Sequence, residues 1–330
     1  SEATDFGKYD QSARDLDQVL YANPNMLSVW SSGNDRDDAF LGISGNNQYA
    51  AWFSGDPGGI GYAGPGWYLV PDAGATAAPG SDGDGGTGYD SLPQTQNAKN
   101  SLVVGSVGDV TADPYTSTMI ATAIYSSYGP SDDGRIKPDV VGNGENLYSS
   151  NAVSNASYEF SSGTSMAAPN VTGTVALIAE HYENTFGALP AAATSKGLAI
   201  HTASDAGNVG PDYAYGWGLV NAGDAATFIT SAAAGVGGDT LIEGDFTGTE
   251  LTYKFVSTTG APAKATIVWT DPAGAAQAAG LDVRNPVLVH DLDLTITDES
   301  GTTFYAWTLD PNNPTAPAVR TVRNRVDNVE

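Results

Sequence analysis

The sequence predicts an α/β protein: a mostly parallel sheet with flanking helices over residues 1–232, then a smaller antiparallel β-sandwich over residues 239–330. Three observations predict it. Apolar-periodic stretches of helical length alternate with short apolar runs suited to buried strands, the pattern of a parallel sheet with crossover helices. The small residues from Ser231 to Gly238 interrupt that alternation and are expected to form a linker. Beyond them the apolar period shortens to two. A length of 330 residues is enough for two domains.

Taken in chain order, the first predicted element is a helix from Ser12 to Tyr21. Asn25-Met26-Leu27-Ser28-Val29-Trp30 follows as a short buried strand that runs into Ser31-Ser32-Gly33-Asn34. By itself Asn34 reads as a left-handed turn residue after Gly33. Residues 35–97 form a glycine-rich insertion carrying Trp52, Phe53, Tyr62, Trp67 and Tyr68. Both a substrate-contacting flap and a self-packed surface elaboration fit it. Asp35, Asp37 and Asp38 open it as a candidate calcium cluster, which Arg36 partly neutralises. Leu102-Val103-Val104 is the next strand.

The most informative run is Gly163-Thr164-Ser165-Met166-Ala167-Ala168-Pro169. Ala167, Val171, Val175, Ile178 and Ala179 recur at spacings of three and four, which predicts a helix with one buried stripe and puts Ser165 in its first turn. Pro169 is expected among the opening residues, whose N–H groups have no intrahelical partner, and so costs the helix nothing. Those unpaired N–H groups and the positive end of the helix dipole favour an oxyanion beside the serine, as acyl transfer requires. The alternative is that Ser165 is an ordinary N-cap. The Gly-x-Ser-x-Gly elbow of α/β-hydrolases does not match, because Ala167 stands where its second glycine belongs.

In the C-terminal part, Leu251, Tyr253 and Phe255 alternate with polar residues, as do Ala265, Ile267 and Trp269, and then Leu292, Leu294 and Ile296. Asp291 and Asp293 fall on one face of the last of these, where either a cation or plain hydration would relieve their repulsion.

Composition narrows the function classes. The chain has no cysteine, so neither disulfides nor a thiolate metal site is open to it. Thirteen Lys and Arg against 38 Asp and Glu give a net charge of −25, which argues against nucleic acid and anionic membranes as partners. That acidity fits a secreted, extracellular protein and makes calcium the expected structural cation, with the individual metal ligands unassigned. No apolar run reaches the length of a membrane span.

The Gly163–Pro169 run resembles the nucleophile motif of the subtilisin-like serine proteases, Gly-Thr-Ser-Met-Ala-x-Pro, at every fixed position. The likeness continues in order along the chain. Ser31-Ser32-Gly33-Asn34 after its strand is similar to the segment bearing the family's oxyanion asparagine. Tyr125 to Pro130 and Lys137-Pro138-Asp139-Val140 are similar to the segments before the nucleophile helix. Ile200-His201-Thr202-Ala203, Gly210 to Tyr213 and Tyr215 to Gly218 are similar to the close of the catalytic domain. Gly142-Asn143-Gly144 departs from the family's Ala-Pro-Gly. His290 to Leu294 with Asp327 to Glu330 resembles the jelly-roll-like sandwich of a bacterial alkaline subgroup, which this chain would hold in truncated form.

The resemblance implies a serine endopeptidase with Ser165 as nucleophile, the Asn34 amide and the Ser165 N–H as oxyanion donors, and Ser31, Ser32 and Gly33 as one wall of the substrate pocket. It implies protein or peptide substrates and no catalytic cofactor. It also implies an aspartate and a histidine upstream of Asn34, and no residue here fits those motifs. His181, His201 and His290 all lie after Ser165, and Asp82-Gly83-Asp84-Gly85 lies in a polar loop after Asn34. The expectation is therefore an incomplete subtilisin-like domain, inactive alone, whose partner is an N-terminal segment of the same protein. The competing classes are a pseudo-protease that binds without cleaving and a surface-binding module carried by the sandwich.

Overall fold

The computed structural model describes residues 6–36, the backbone of two strands at 48–53 and 66–71, and residues 88–236, 238–255, 263–278 and 280–330. Its centre is a three-stranded parallel sheet in the order β1 (Val29–Ser31), β4 (Leu102–Val107), β5 (Val140–Asn143). Val29 is in register with Leu102, and Val104 with Val140. All six residues of β4 are buried, as expected of a central parallel strand covered on both faces. β2 (Gln48–Phe53) and β3 (Gly66–Pro71) pair antiparallel inside the 35–97 insertion, with Trp52 opposite Trp67. Tyr62, Asp37, Asp38 and Asp82 to Gly85 lie outside the described residues. From residue 88 onward the chain is back in the core: Leu92 and Asn97 are fully buried.

α1 (Gln11–Ala22) begins one residue before the predicted helix, because the Asp10 carboxylate caps it by accepting from Ser12 N–H at 2.8 Å and Ala13 N–H at 3.0 Å. α2 (Thr164–Phe186) lies across the sheet. Its stripe residues Ala167 and Val171 join Leu102, Val104, Val140, Ala199 and Ile200 in the main core, and Val175 packs against it. Ile178 continues the stripe into a second cluster with Leu198 of α3 (Ala192–His201) and Ala225 and Ile229 of α4 (Ala222–Ala234). Gly142 permits this approach, since a Cβ there would lie 2.5 Å from Val171 Cγ2.

The Lys137-Pro138-Asp139 segment ties the layers together. Asp139 accepts from Val103 N–H at 2.7 Å, and its oxygens lie 2.6 Å from Lys137 Nζ and 2.9 Å from Lys196 Nζ of α3. Burial alone would raise the Asp139 carboxyl, but the two ammonium groups hold it below the usual carboxylate range.

Two local expectations are corrected. Pro169 is the sixth residue of α2, beyond the unpaired opening N–H groups, so it removes the bond that the Ser165 carbonyl would otherwise accept. Ser231 to Ala234, expected in the linker, are the last turn of α4. Alanine-rich sequence extends the helix, and Gly235 ends it in the left-handed conformation at φ 63°.

Small antiparallel pairings make up the C-terminal part, compatible with a sandwich. β8 (Thr295–Thr297) pairs with β9 (Thr303–Tyr305), and Val268 bridges Val329. Along 292–297 the apolar positions are half-buried and the alternate ones exposed, as the period of two predicts. Leu251, Tyr253 and Phe255 are more than half exposed and form no strand among the described residues. This part packs against the sheet and α1 through Val329 and Val287, which join the apolar core, and through buried polar contacts. Lys99 Nζ pairs with Asp271 and donates to the carbonyls of Pro272 at 2.7 Å and Val287 at 2.9 Å, with both side chains fully buried.

Candidate active site

The site is assembled where β1 and α2 meet. After β1 the chain turns through Ser32, whose N–H donates to Val104 O at 2.9 Å, and Gly33, at φ 111°, to an exposed Asn34. On the other side, two hydrogen bonds pin the entry to α2. Gly144 N–H donates to Val107 O at 3.1 Å, and Gly163 N–H donates to Gly144 O at 2.9 Å. Gly163 is the N-cap at φ 151°, has no side chain to cap with, and gives its carbonyl to Met166 and Ala167 N–H. Ser165 is therefore the second helical residue rather than the cap. Its side chain is exposed, and its N–H belongs to the first turn, where the helix supplies no acceptor.

Asn34 takes over the capping role from across the fold. Its Oδ1 accepts from Thr164 N–H at 2.9 Å and from Thr164 Oγ1 at 2.8 Å. A backbone N–H can only donate, so the acceptor in this bond is the oxygen, and the Nδ2 end of the amide is left beside Gly163. Nδ2 makes no hydrogen bond among the described residues. The structure thus places Asn34 against Thr164, the residue before Ser165, with Ser31 and Gly33 half-buried and Ser32 fully buried on the adjoining turn. Two N–H donors and one exposed hydroxyl at a helix N-terminus are a geometry suited to a carbonyl that becomes an oxyanion. Sequence reasoning missed Thr164, whose buried side chain orients the amide; its place in the motif was the available signal.

All three histidines are engaged elsewhere. His181, about 24 Å along α2 from Ser165 at the helical rise, sits 3.0 Å from Thr230 Oγ1. His201 Nδ1 is 2.9 Å from Thr266 Oγ1, and its ring lies 4.8 Å from that of Phe228. Burial, helped by Lys264, pushes its pKa down to about 4. His290 Nδ1 is 3.8 Å from the buried Asp271.

The acidic residues have the following surroundings. Asp35 accepts from Ser127 Oγ, and Arg36 lies over the Tyr128 ring at 4.2 Å. Asp293 pairs with Arg323. Asp90, Asp132 and Asp282 bring one carboxylate oxygen each within 4.8 Å of the others, beside Gly7.

The model of the Subtilase family (Peptidase S8) matches residues 3–218. Pyrolysin of Pyrococcus furiosus is 49% identical over 61 residues, which are 18% of this chain and 4% of that protein. A C5a peptidase of Streptococcus pyogenes is 44% identical over 62 residues, 19% of this chain and 5% of the peptidase. A serine protease/ABC transporter B family protein of Dictyostelium discoideum is 25% identical over 204 residues, 53% of this chain and 11% of that protein. The chain thus spans about a tenth or less of these relatives. Among solved structures, the self-cleaved protease domain of PatA superposes with a TM-score of 0.43 at 18% identity, covering 69% of this chain and 58% of that one.

Proposed function

Because the chain belongs to the subtilase family, we propose that it carries the nucleophile and oxyanion half of a serine endopeptidase site, with proteins or peptides as substrates. The observation that carries this reading is the Asn34 amide, locked by Thr164 so that its N–H end faces the turn that presents Ser165. In the reaction, Ser165 Oγ attacks the scissile carbonyl. The developing oxyanion is met by Asn34 Nδ2 and the Ser165 N–H, the leaving amine departs, and water hydrolyses the resulting ester. Ser31 and Gly33, half-buried, form the adjoining wall for the residue at the cleaved bond, whereas Ser32 is fully buried and offers that residue no surface, against the expectation from sequence. No cofactor enters these steps.

The proton of Ser165 needs an acceptor, and the engaged positions of His181, His201 and His290 support a base supplied by polypeptide outside residues 1–330. On this reading the 330 residues alone are inactive and the complementing segment is their natural partner. Secretion, a structural calcium and an accessory domain over residues 239–330 are proposed on the same footing. The first and last are supported by the acidity and the change of period described above. The test is fluorophosphonate labelling of a longer chain that includes the upstream segment. Labelling should be lost in Ser165→Ala; its persistence would overturn the assignment. The same histidine contacts favour a second reading, a pseudo-protease that only binds, and it takes precedence if the longer chain is never labelled.

A further inference from the structure

The hairpin that leads into α2 presents an aromatic row to solvent. β6 (Leu147–Ser150) and β7 (Tyr158–Ser161) pair antiparallel with Tyr148 opposite Phe160 and Ser150 opposite Tyr158. The period of two along a strand therefore puts all three rings on one face. They are exposed by 63%, 56% and 68% for Tyr148, Tyr158 and Phe160. The rings already form one surface: Tyr148 and Tyr158 stack at 5.5 Å between centroids and 28° between planes, and Tyr148 and Phe160 meet at 4.9 Å. Such a face is unusual for a surface hairpin, where exposed large apolar groups mark binding sites.

Position and charge say what fits it. Phe160 is five residues before Ser165, so its Cα lies within about 18 Å of that of Ser165 even for a fully extended connection. The hairpin is fixed to the nucleophile turn by Gly163 N–H to Gly144 O at 2.9 Å and by Asn146 N–H to Ser162 Oγ at 2.9 Å. No lysine or arginine occurs between residues 138 and 195, while Glu145 and Glu159 belong to the hairpin and its approach, in a chain of net charge −25. Aromatic faces attract cations, and an uncompensated negative field adds to that attraction.

We propose that Tyr148, Tyr158 and Phe160 form a docking surface for lysine or arginine side chains of a polypeptide substrate, a few residues from the bond held at Ser165. The proposal rests on Ser165 as the nucleophile for the identity of its occupant, but its test requires no turnover. Fluorescence anisotropy in about 0.15 M salt, where long-range attraction is largely screened, would compare labelled decapeptides of alternating Gly-Arg and Gly-Glu. The Gly-Arg peptide should bind and the Gly-Glu peptide should not. Binding should weaken about tenfold in Tyr148→Ala/Phe160→Ala. It should weaken equally in Tyr148→Leu/Phe160→Leu, which keeps an apolar face without the ring electrons. Unchanged affinity in either double variant overturns the proposal. So does a wild-type dimer, seen by sedimentation, that both variants convert to monomer, because the face would then be covered by a second copy. A negative result here leaves fluorophosphonate labelling of Ser165 as an independent measurement.

Discussion

Asn34 and Thr164, 130 residues apart, are joined by two hydrogen bonds into a single acceptor, the Asn34 Oδ1. One amide thereby caps the nucleophile helix and aims its own N–H₂ group. In a longer, catalytically complete chain, Asn34→Ala should lower kcat by roughly 10²–10³, as for removal of one oxyanion donor, with KM little changed. Thr164→Val keeps the backbone bond and removes the hydroxyl one, so its loss of kcat should be smaller, about tenfold. Steady-state kinetics on a chromogenic peptide check both; an unchanged kcat in Asn34→Ala would leave Asn34 as a turn and capping residue only.

Gly142 stands under Val171 with no room for a methyl group. Gly142→Ala should push α2 off β5 and destabilise the chain by about 1–3 kcal/mol, the usual cost of overpacking. Val171→Ala in the same chain should recover part of that loss, because the two sites share one contact. Urea unfolding of the single and double variants tests the pair, and strict additivity would show that the crowding is relieved elsewhere.

The nucleophile helix was legible in the sequence because its signal is local: the Ser165 motif, the stripe from Ala167 to Ile178 and the exposed hydroxyl all lie within a few turns of one another. The Asn34 contact was legible only through order along the chain, since no local pattern links residues so distant. Alternation at Leu251, Tyr253 and Phe255 shows competence for a strand but not the presence of a neighbour, and the described residues provide none. The pairing of Lys99 with Asp271, 172 residues apart, left no trace in composition or periodicity.

That pairing is one buried polar contact between the sheet and the C-terminal part, beside the apolar contacts of Val287 and Val329. Asp271 also accepts from the N–H groups of Val289 at 2.9 Å and His290 at 2.7 Å, so its charge is held by three donors. Burial pulls the Lys99 ammonium below its ordinary pKa, and Asp271 opposes that pull. Lys99→Met should leave a buried carboxylate without its counter-charge and destabilise by about 3–5 kcal/mol. Lys99→Met/Asp271→Asn should be less damaging than the single lysine variant. Equal thermal midpoints for wild type and Lys99→Met would show that hydration takes over the lysine's role.

Two buried carboxyls should each contribute stability that is lost as pH rises between about 4 and 8, while His201, held down at about 4, contributes with the opposite sign below its ordinary value. Burial raises Asp327 from 3.8 to about 6, despite N–H donors from Ile136 at 2.8 Å and Asn324 at 2.9 Å. It raises Glu330 from 4.5 to about 8, where Leu294 N–H is the donor. A carboxyl whose pKa is higher folded than unfolded keeps a proton that the unfolded chain has released, so over that interval the unfolded state binds fewer protons and alkali favours unfolding. The Asp327 contribution is present below about pH 4 and lost by about 6; that of Glu330 is lost between about 4.5 and 8. Relative to wild type, Asp327→Asn should remove a fall in thermal midpoint between about pH 4 and 6, and Glu330→Gln one between about 4.5 and 8. If Glu330→Gln keeps the wild-type slope above pH 6, the carboxyl is hydrated in solution and the loss at higher pH belongs to other groups.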